Sequence, residues 1–265
     1  VTGSTEQTGR LWEIDVARTV AIAMMVSYHV VYDIDMLAPG LWADPFTGAW
    51  GALPEATGSL FLLLVGMSLS VSDGRAEARG TPRRARARRH MMRALRVLGA
   101  AMVVTATTFL VFPERYVRFG ILHAIAVSAL LATPLLRLGR WNAVLGVGVV
   151  AAGIAMRGGQ SEVPGSFIVG APPAGFSSVD YWPLLPWFGV VLIGVAIGGA
   201  LYPRGARSRL VRRVTGLAGR GNRVAVWLGT PGRRSLLVYL VHQPVLVLLV
   251  AAVLTATGTT ISWSR

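Results

Sequence analysis

The sequence predicts an all-α integral membrane protein, a bundle of about seven transmembrane helices with its N-terminus cytoplasmic and its C-terminus outside. Three observations predict it. First, the 265 residues are 53% hydrophobic and only 14% charged, with mean hydropathy +0.56; soluble domains carry about 25% charged residues. Second, seven apolar stretches approach the length of about 20 residues that crosses a bilayer. They run over 14–34, 56–73, 95–112, 117–137, 142–157, 184–202 and 235–257. Third, seven spans put 22 of the 26 arginines on one side, leaving only Arg115, Arg118, Arg157 and Arg265 on the other with seven acidic residues. An excess of basic residues in short loops marks the cytoplasmic side. The whole chain, 1–265, is therefore expected to form one multi-pass domain in the plasma (cytoplasmic) membrane, with the lipid bilayer as its first partner.

Composition also excludes chemistry. There is no Lys, hence no retinal or pyridoxal Schiff base and no phosphate-loop lysine. There is no Cys, hence no disulfide, thiolate nucleophile, Cys-ligated zinc or iron–sulfur cluster. The net charge of +14 is accounted for by the cytoplasmic arginines, so no nucleic-acid partner is expected.

The first span is the richest in ionisable groups, which are costly in a membrane and mark function by default. At 100° per residue, Arg18 and His29 lie within about 20° of each other and roughly 16 Å apart along the axis. Asp33 lies one turn beyond His29, and Asp15 lies beside Arg18, so the four form one polar stripe. Its inner end is cationic and its outer end pairs a histidine with a carboxylate. The i, i+4 spacing of His29 and Asp33 lets the carboxylate hold the imidazole, as in a general base of fixed tautomer. A hydrogen-bonded histidine within the bundle is the plainer reading. The third span follows a run of arginines in which His90 is expected to be solvated. The fourth opens with Gly120 and His123, on the same side of the membrane as His29. The fifth, 142–157, is short and glycine-rich.

Asp180-Tyr-Trp182-Pro-Leu-Leu-Pro186-Trp187 leads into the sixth span as a stiff aromatic rim, either a sugar-binding surface or an interfacial anchor. In the last span Ser235, Tyr239 and His242 share a face just before Pro244, which frees backbone carbonyls one turn earlier. The outer loops 35–55 and 158–183 are rich in Pro, Gly and Trp. No metal motif is present, and no metal is expected. Three functional classes remain open on these residues. They are an enzyme with a histidine base, a transporter or flippase with a polar path along one helix, and a haem carrier with His29 and His123 at similar depth.

Five segments carry a resemblance. They are Arg10-Leu-Trp-Glu-Ile-Asp15-Val-Ala-Arg18 running on to His29 and Asp33, Phe61-Leu-Leu-Leu-Val-Gly66-Met-Ser68, Gly120-Ile-Leu-His123, Asp180-Tyr-Trp-Pro-Leu-Leu-Pro-Trp187, and Ser235-Leu-Leu-Val-Tyr239-Leu-Val-His242-Gln243-Pro244. In this order they resemble the heparan-alpha-glucosaminide N-acetyltransferase catalytic-domain-like family, in its shorter prokaryotic branch, within the transmembrane acyltransferases. The resemblance implies an acyl-CoA-dependent N- or O-acyltransferase. Acetyl-CoA or another acyl-CoA would be taken from the cytoplasmic side, and an amine or hydroxyl of a sugar or envelope glycan acylated outside.

On that reading His29 deprotonates the acceptor, Asp33 orients it and His123 assists. Arg18 with Asp15 binds the donor, Tyr239 and His242 line the acyl path, and Asp180, Trp182 and Trp187 face the acceptor. No haem or metal is called for, and a homo-oligomer is compatible with the class. One departure stands out. The glycosaminoglycan enzymes are associated with a catalytic histidine in the loop after the first helix, and residues 35–55 contain no His. His29, within the helix, is the substitute.

Overall fold

The computed structural model describes residues 11–217 and 223–262. Among these the helices are α1 (Trp12–Leu37), α2 (Gly48–Ala78), α3 (Arg83–Val111), α4 (Ile121–Leu135), α5 (Trp141–Ala155), α6 (Leu184–Leu201), α7 (Arg209–Leu217), α8 (Arg223–Leu228), α9 (Thr230–Arg233) and α10 (Ser235–Ala256). The described β-pairing is a single isolated bridge between Phe119 and Tyr181. Six helices are long and apolar enough to cross a membrane: α1, α2, α3, α4 with its continuation to Leu138, α6 and α10. The protein is a multi-pass membrane protein. The seventh expected segment is helical too, but α5 has 15 residues. At 1.5 Å per residue it reaches roughly 22 Å, short of a hydrocarbon core of about 30 Å.

The described residues group into two compact units, one made of 11–61 with 223–262 and the other of 62–217. In the first, the terminal unit, α1 packs against α8, α9 and α10. The two ends of α1 are tied separately. At its start, Gly232 of α9 lies so close that a Cβ there would strike the Asp15 carbonyl, and its N–H donates to Thr19 Oγ1 at 3.0 Å. At its end, Leu37 and Ala38 bury against Val250 and Leu254 of α10, and the Ser262 N–H donates to the Leu37 carbonyl at 2.9 Å. These ties set the register in which the middles of α1 and α10 meet.

In the second, the central unit, α6 is the spine. A Cβ at Gly189 would meet the backbone of Gly146 in α5. Gly194 and Gly198 likewise abut Leu63 and Met67 of α2, and Gly66 of α2 abuts the carbonyl of Val191. Small residues let helix backbones approach closely in a membrane, where apolar side chains gain nothing from leaving lipid. Around these contacts Leu62, Leu69, Ala132, Val191, Leu192 and Val195 form a buried core.

Two expectations are corrected here. α3 starts at Arg83, twelve residues before the apolar stretch at 95, because Arg and Ala are strong helix formers and carry the helix beyond its apolar length. His90 is consequently not solvated. It is 4% exposed, with Nε2 3.2 Å from Asp73 Oδ1, an oxygen that also accepts from Arg86 Nε at 3.0 Å. Arg86 and His90, one turn apart on α3, grip the same carboxylate of α2.

The glycine contacts are directly testable. Gly194→Ala places a methyl against the Leu63 carbonyl and should destabilise the protein by about 1–3 kcal/mol, the cost of overpacking. Gly148→Ala, where a Cβ meets nothing within 4 Å, should be neutral or stabilising by about 0.5–1 kcal/mol. Unfolding curves of the two variants in one detergent check the contrast.

Candidate functional site

The polar C-terminal half of α1 faces α10 inside the terminal unit. The rings of His29 and His242 meet edge-on with centroids 4.9 Å apart. One turn beyond His29, Asp33 is fully buried, and its Oδ1 accepts from Gln243 Nε2 at 2.6 Å. The His29–Asp33 bond expected from i, i+4 spacing is therefore not the one formed. The carboxylate is instead held across the helix pair by Gln243. Register explains it: α10 presents an amide donor at that level, and a buried carboxylate takes a donor wherever one is presented.

What remains unsatisfied is informative. Four buried atoms, His29 Nδ1, Asp33 Oδ2, His242 Nε2 and Gln243 Oε1, have no hydrogen-bond partner among the described residues. Buried polar atoms are nearly always paired, so four orphans on two adjacent helices need an explanation. The tautomer of His242 follows from its other nitrogen. Nδ1 lies 2.6 Å from the Tyr239 carbonyl, which can only accept, so Nδ1 donates and Nε2 carries a lone pair. Tyr239 and His242 thus share a face as expected, joined by this bond and by tilted rings 5.5 Å apart. Tyr28 and Tyr32 surround the His29 ring at 5.5 and 6.3 Å.

The N-terminal end of α1 is a charge node. Buried Asp15 pairs with Arg18 at 3.2 Å and lies 3.8 Å from Arg233 of α9. Two guanidinium groups therefore gather at one carboxylate.

The other expected site residues lie in the central unit. His123 sits at the third position of α4, and its Nδ1 accepts from the Gly120 N–H at 3.3 Å. Its Nε2 lies 3.4 Å from Thr105 Oγ1, whose proton goes to the Val117 carbonyl at 2.8 Å. Both nitrogens are therefore engaged in building the entry to α4. Asp180 Oδ2 accepts from the Ile121 N–H at 2.9 Å and caps the same helix from 59 residues away. This capping role stands beside the acceptor contact expected of Asp180. Trp182 and Trp187 touch with tilted rings, centroids 4.5 Å apart, and pack against the core around Leu192. Burial pushes the Tyr181 phenol above its ordinary value. It stays protonated and donates to the Phe167 carbonyl at 2.6 Å.

Sequence reasoning missed Gln243, Arg233 and Thr105. Gln243 carried a signal, since an amide inside an apolar span demands a partner. Among the described residues no group of three or more His, Asp or Glu gathers as a metal site.

Six apolar helices of bilayer length, several of them carrying buried ionisable groups, define an integral membrane protein. The family model described as heparan-alpha-glucosaminide N-acetyltransferase, catalytic, matches residues 10–244. The chain belongs to that family, which is one of transmembrane acetyltransferases that take acetyl-CoA as donor. No curated protein and no solved structure matches the chain.

The Asp33–Gln243 bond gives a signed prediction. Gln243→Leu strands a buried carboxylate and should cost about 1–3 kcal/mol of stability, whereas Asp33→Leu with Gln243→Leu together should recover most of it. A double-mutant cycle on unfolding in detergent measures the coupling, which should exceed 0.5 kcal/mol, the lower bound expected for residues in contact.

Proposed function

We propose that this protein transfers an acetyl or other acyl group from cytoplasmic acyl-CoA to an amine or hydroxyl of a sugar or envelope glycan on the outer side. Seven crossings are part of the reading, α5 being the short one. They put the Asp15–Arg18–Arg233 node at the arginine-rich face, and His29, His242 and Asp33 towards the opposite face. One observation carries it: the four unpartnered polar atoms of His29, Asp33, His242 and Gln243, gathered where α1 meets α10.

The roles follow from the chemistry of those atoms. The Asp15–Arg18–Arg233 node binds the phosphates of the donor, and the thioester extends along α1 towards the histidines. An imidazole nitrogen with a free lone pair removes the proton from the acceptor amine or hydroxyl. The acceptor nitrogen or oxygen bonds to the thioester carbonyl carbon, the carbon–sulfur bond breaks, and the CoA thiolate takes the proton back from the imidazolium. His29, with Nδ1 unpartnered, and His242, with its tautomer set by the Tyr239 carbonyl, are the two bases. This moves His242 from lining the acyl path to sharing the reaction. Asp33 Oδ2 and Gln243 Oε1, both acceptors, orient a donor-rich acceptor substrate. His123 and Asp180 hold the fold around α4, and Trp182 and Trp187 form the rim of the central unit.

Transfer from labelled acetyl-CoA to a panel of amino sugars and polyols, measured in proteoliposomes, tests the assignment. His29→Ala and His242→Ala should each lose about 100-fold or more, the usual contribution of a positioned acid–base group. Their unfolding midpoints should stay close to that of the parent protein. Undiminished transfer by a folded His29→Ala protein contradicts the role of His29.

A further inference from the structure

We propose that α7 is an in-plane membrane helix that binds anionic phospholipid headgroups, independently of the acyl-transfer site. The argument starts from its placement. The Ser208 N–H donates to the carbonyl of Leu201 at 2.9 Å, so the start of α7 is tied to the last residue of the α6 span. A helix fastened there begins at the membrane surface.

Its residues suit that level. At 100° per residue, Leu210 and Val214 fall within about 40° of each other, with Arg213 and Arg209 along one flank of the stripe and Val211 on the other. Val211 is 9% exposed and faces the protein, whereas Leu210 and Val214 are 63% and 60% exposed. Arg209, Arg212 and Arg213 are exposed and form no ion pair among the described residues. Residues 203–234 contain nine arginines and no acidic residue. An exposed apolar stripe flanked by unpaired arginines places its apolar side chains at the acyl boundary and its guanidinium groups among phosphates. A soluble polyanion would satisfy the arginines but leave Leu210 and Val214 in water. The bilayer satisfies both, and its anionic lipids supply the complementary charge.

The sequence has no Cys, so single cysteines can be labelled cleanly in the full chain. A fluorophore on Leu210→Cys, and independently on Val214→Cys, should be quenched by brominated acyl chains in vesicles of phosphatidylcholine with phosphatidylglycerol. The same label on Arg212→Cys should be quenched far less. In the Leu210→Cys background, Arg209→Gln or Arg213→Gln should raise the phosphatidylglycerol content needed for half-maximal quenching by about five-fold each. Equal quenching at positions 210 and 212 would overturn the in-plane helix. Quenching at 210 that ignores phosphatidylglycerol would overturn the anionic-lipid preference.

Discussion

The carboxylate of Asp33 is the constraint on which the terminal unit turns. It is fully buried on an apolar helix, and one amide, that of Gln243, answers one of its oxygens. A carboxylate in such surroundings is tolerable only when held. The bond therefore fixes the rotation of α10 against α1, and with it the meeting of His29 and His242 one turn away. Had α10 turned its apolar face to Asp33, neither the histidine pair nor the four unpaired polar atoms would lie together. On the proposed function, stability and chemistry draw on the same contact, because the bond that holds the helices also leaves Asp33 Oδ2 and Gln243 Oε1 unpaired.

α1 is also a ruler. Its N-terminal end carries Asp15 and Arg18 with Arg233 packed on them, and His29 follows about 16 Å later along a rigid helix. That spacing suits a long, flexible donor whose charged part and reacting part are far apart. The one glycine of α9 matters here. Gly232 allows the α9 backbone to touch the Asp15 carbonyl, which brings Arg233 to the node, and any side chain at 232 would push it away.

Much of this was legible in the sequence, and the boundary is physical. Apolar runs as long as a bilayer is thick are unambiguous, and residue spacing fixes which side chains share a helix face; hence the helices and the polar stripe of α1 read directly. The Asp15–Arg18 pair was legible because i, i+3 neighbours on a helix must meet. The partner of Asp33 was not, since spacing within one helix says nothing of what a second helix presents across it. The same limit hid the cap that Asp180 places on α4 and the contact of His90 with Asp73, both set by segments distant in the chain. The early start of α3 was hidden for another reason. Hydropathy reports where a helix meets lipid, not where it stops, and the Arg/Ala run continues as helix outside the apolar region. The bond that His123 Nδ1 accepts from the Gly120 N–H is local, three residues apart, yet a lone histidine near a span end does not reveal from sequence which backbone group it will meet.

The central claim is that donor binding and proton transfer occupy opposite ends of α1. Acetyl-CoA binding to the protein in detergent, measured by calorimetry for the parent, Arg18→Ala and His29→Ala, tests it most directly. The account predicts saturable binding that Arg18→Ala weakens about ten-fold or more, the loss of one charge-assisted contact, and that His29→Ala leaves unchanged. Equal affinity in Arg18→Ala and the parent, or no saturable binding by the parent, would contradict it.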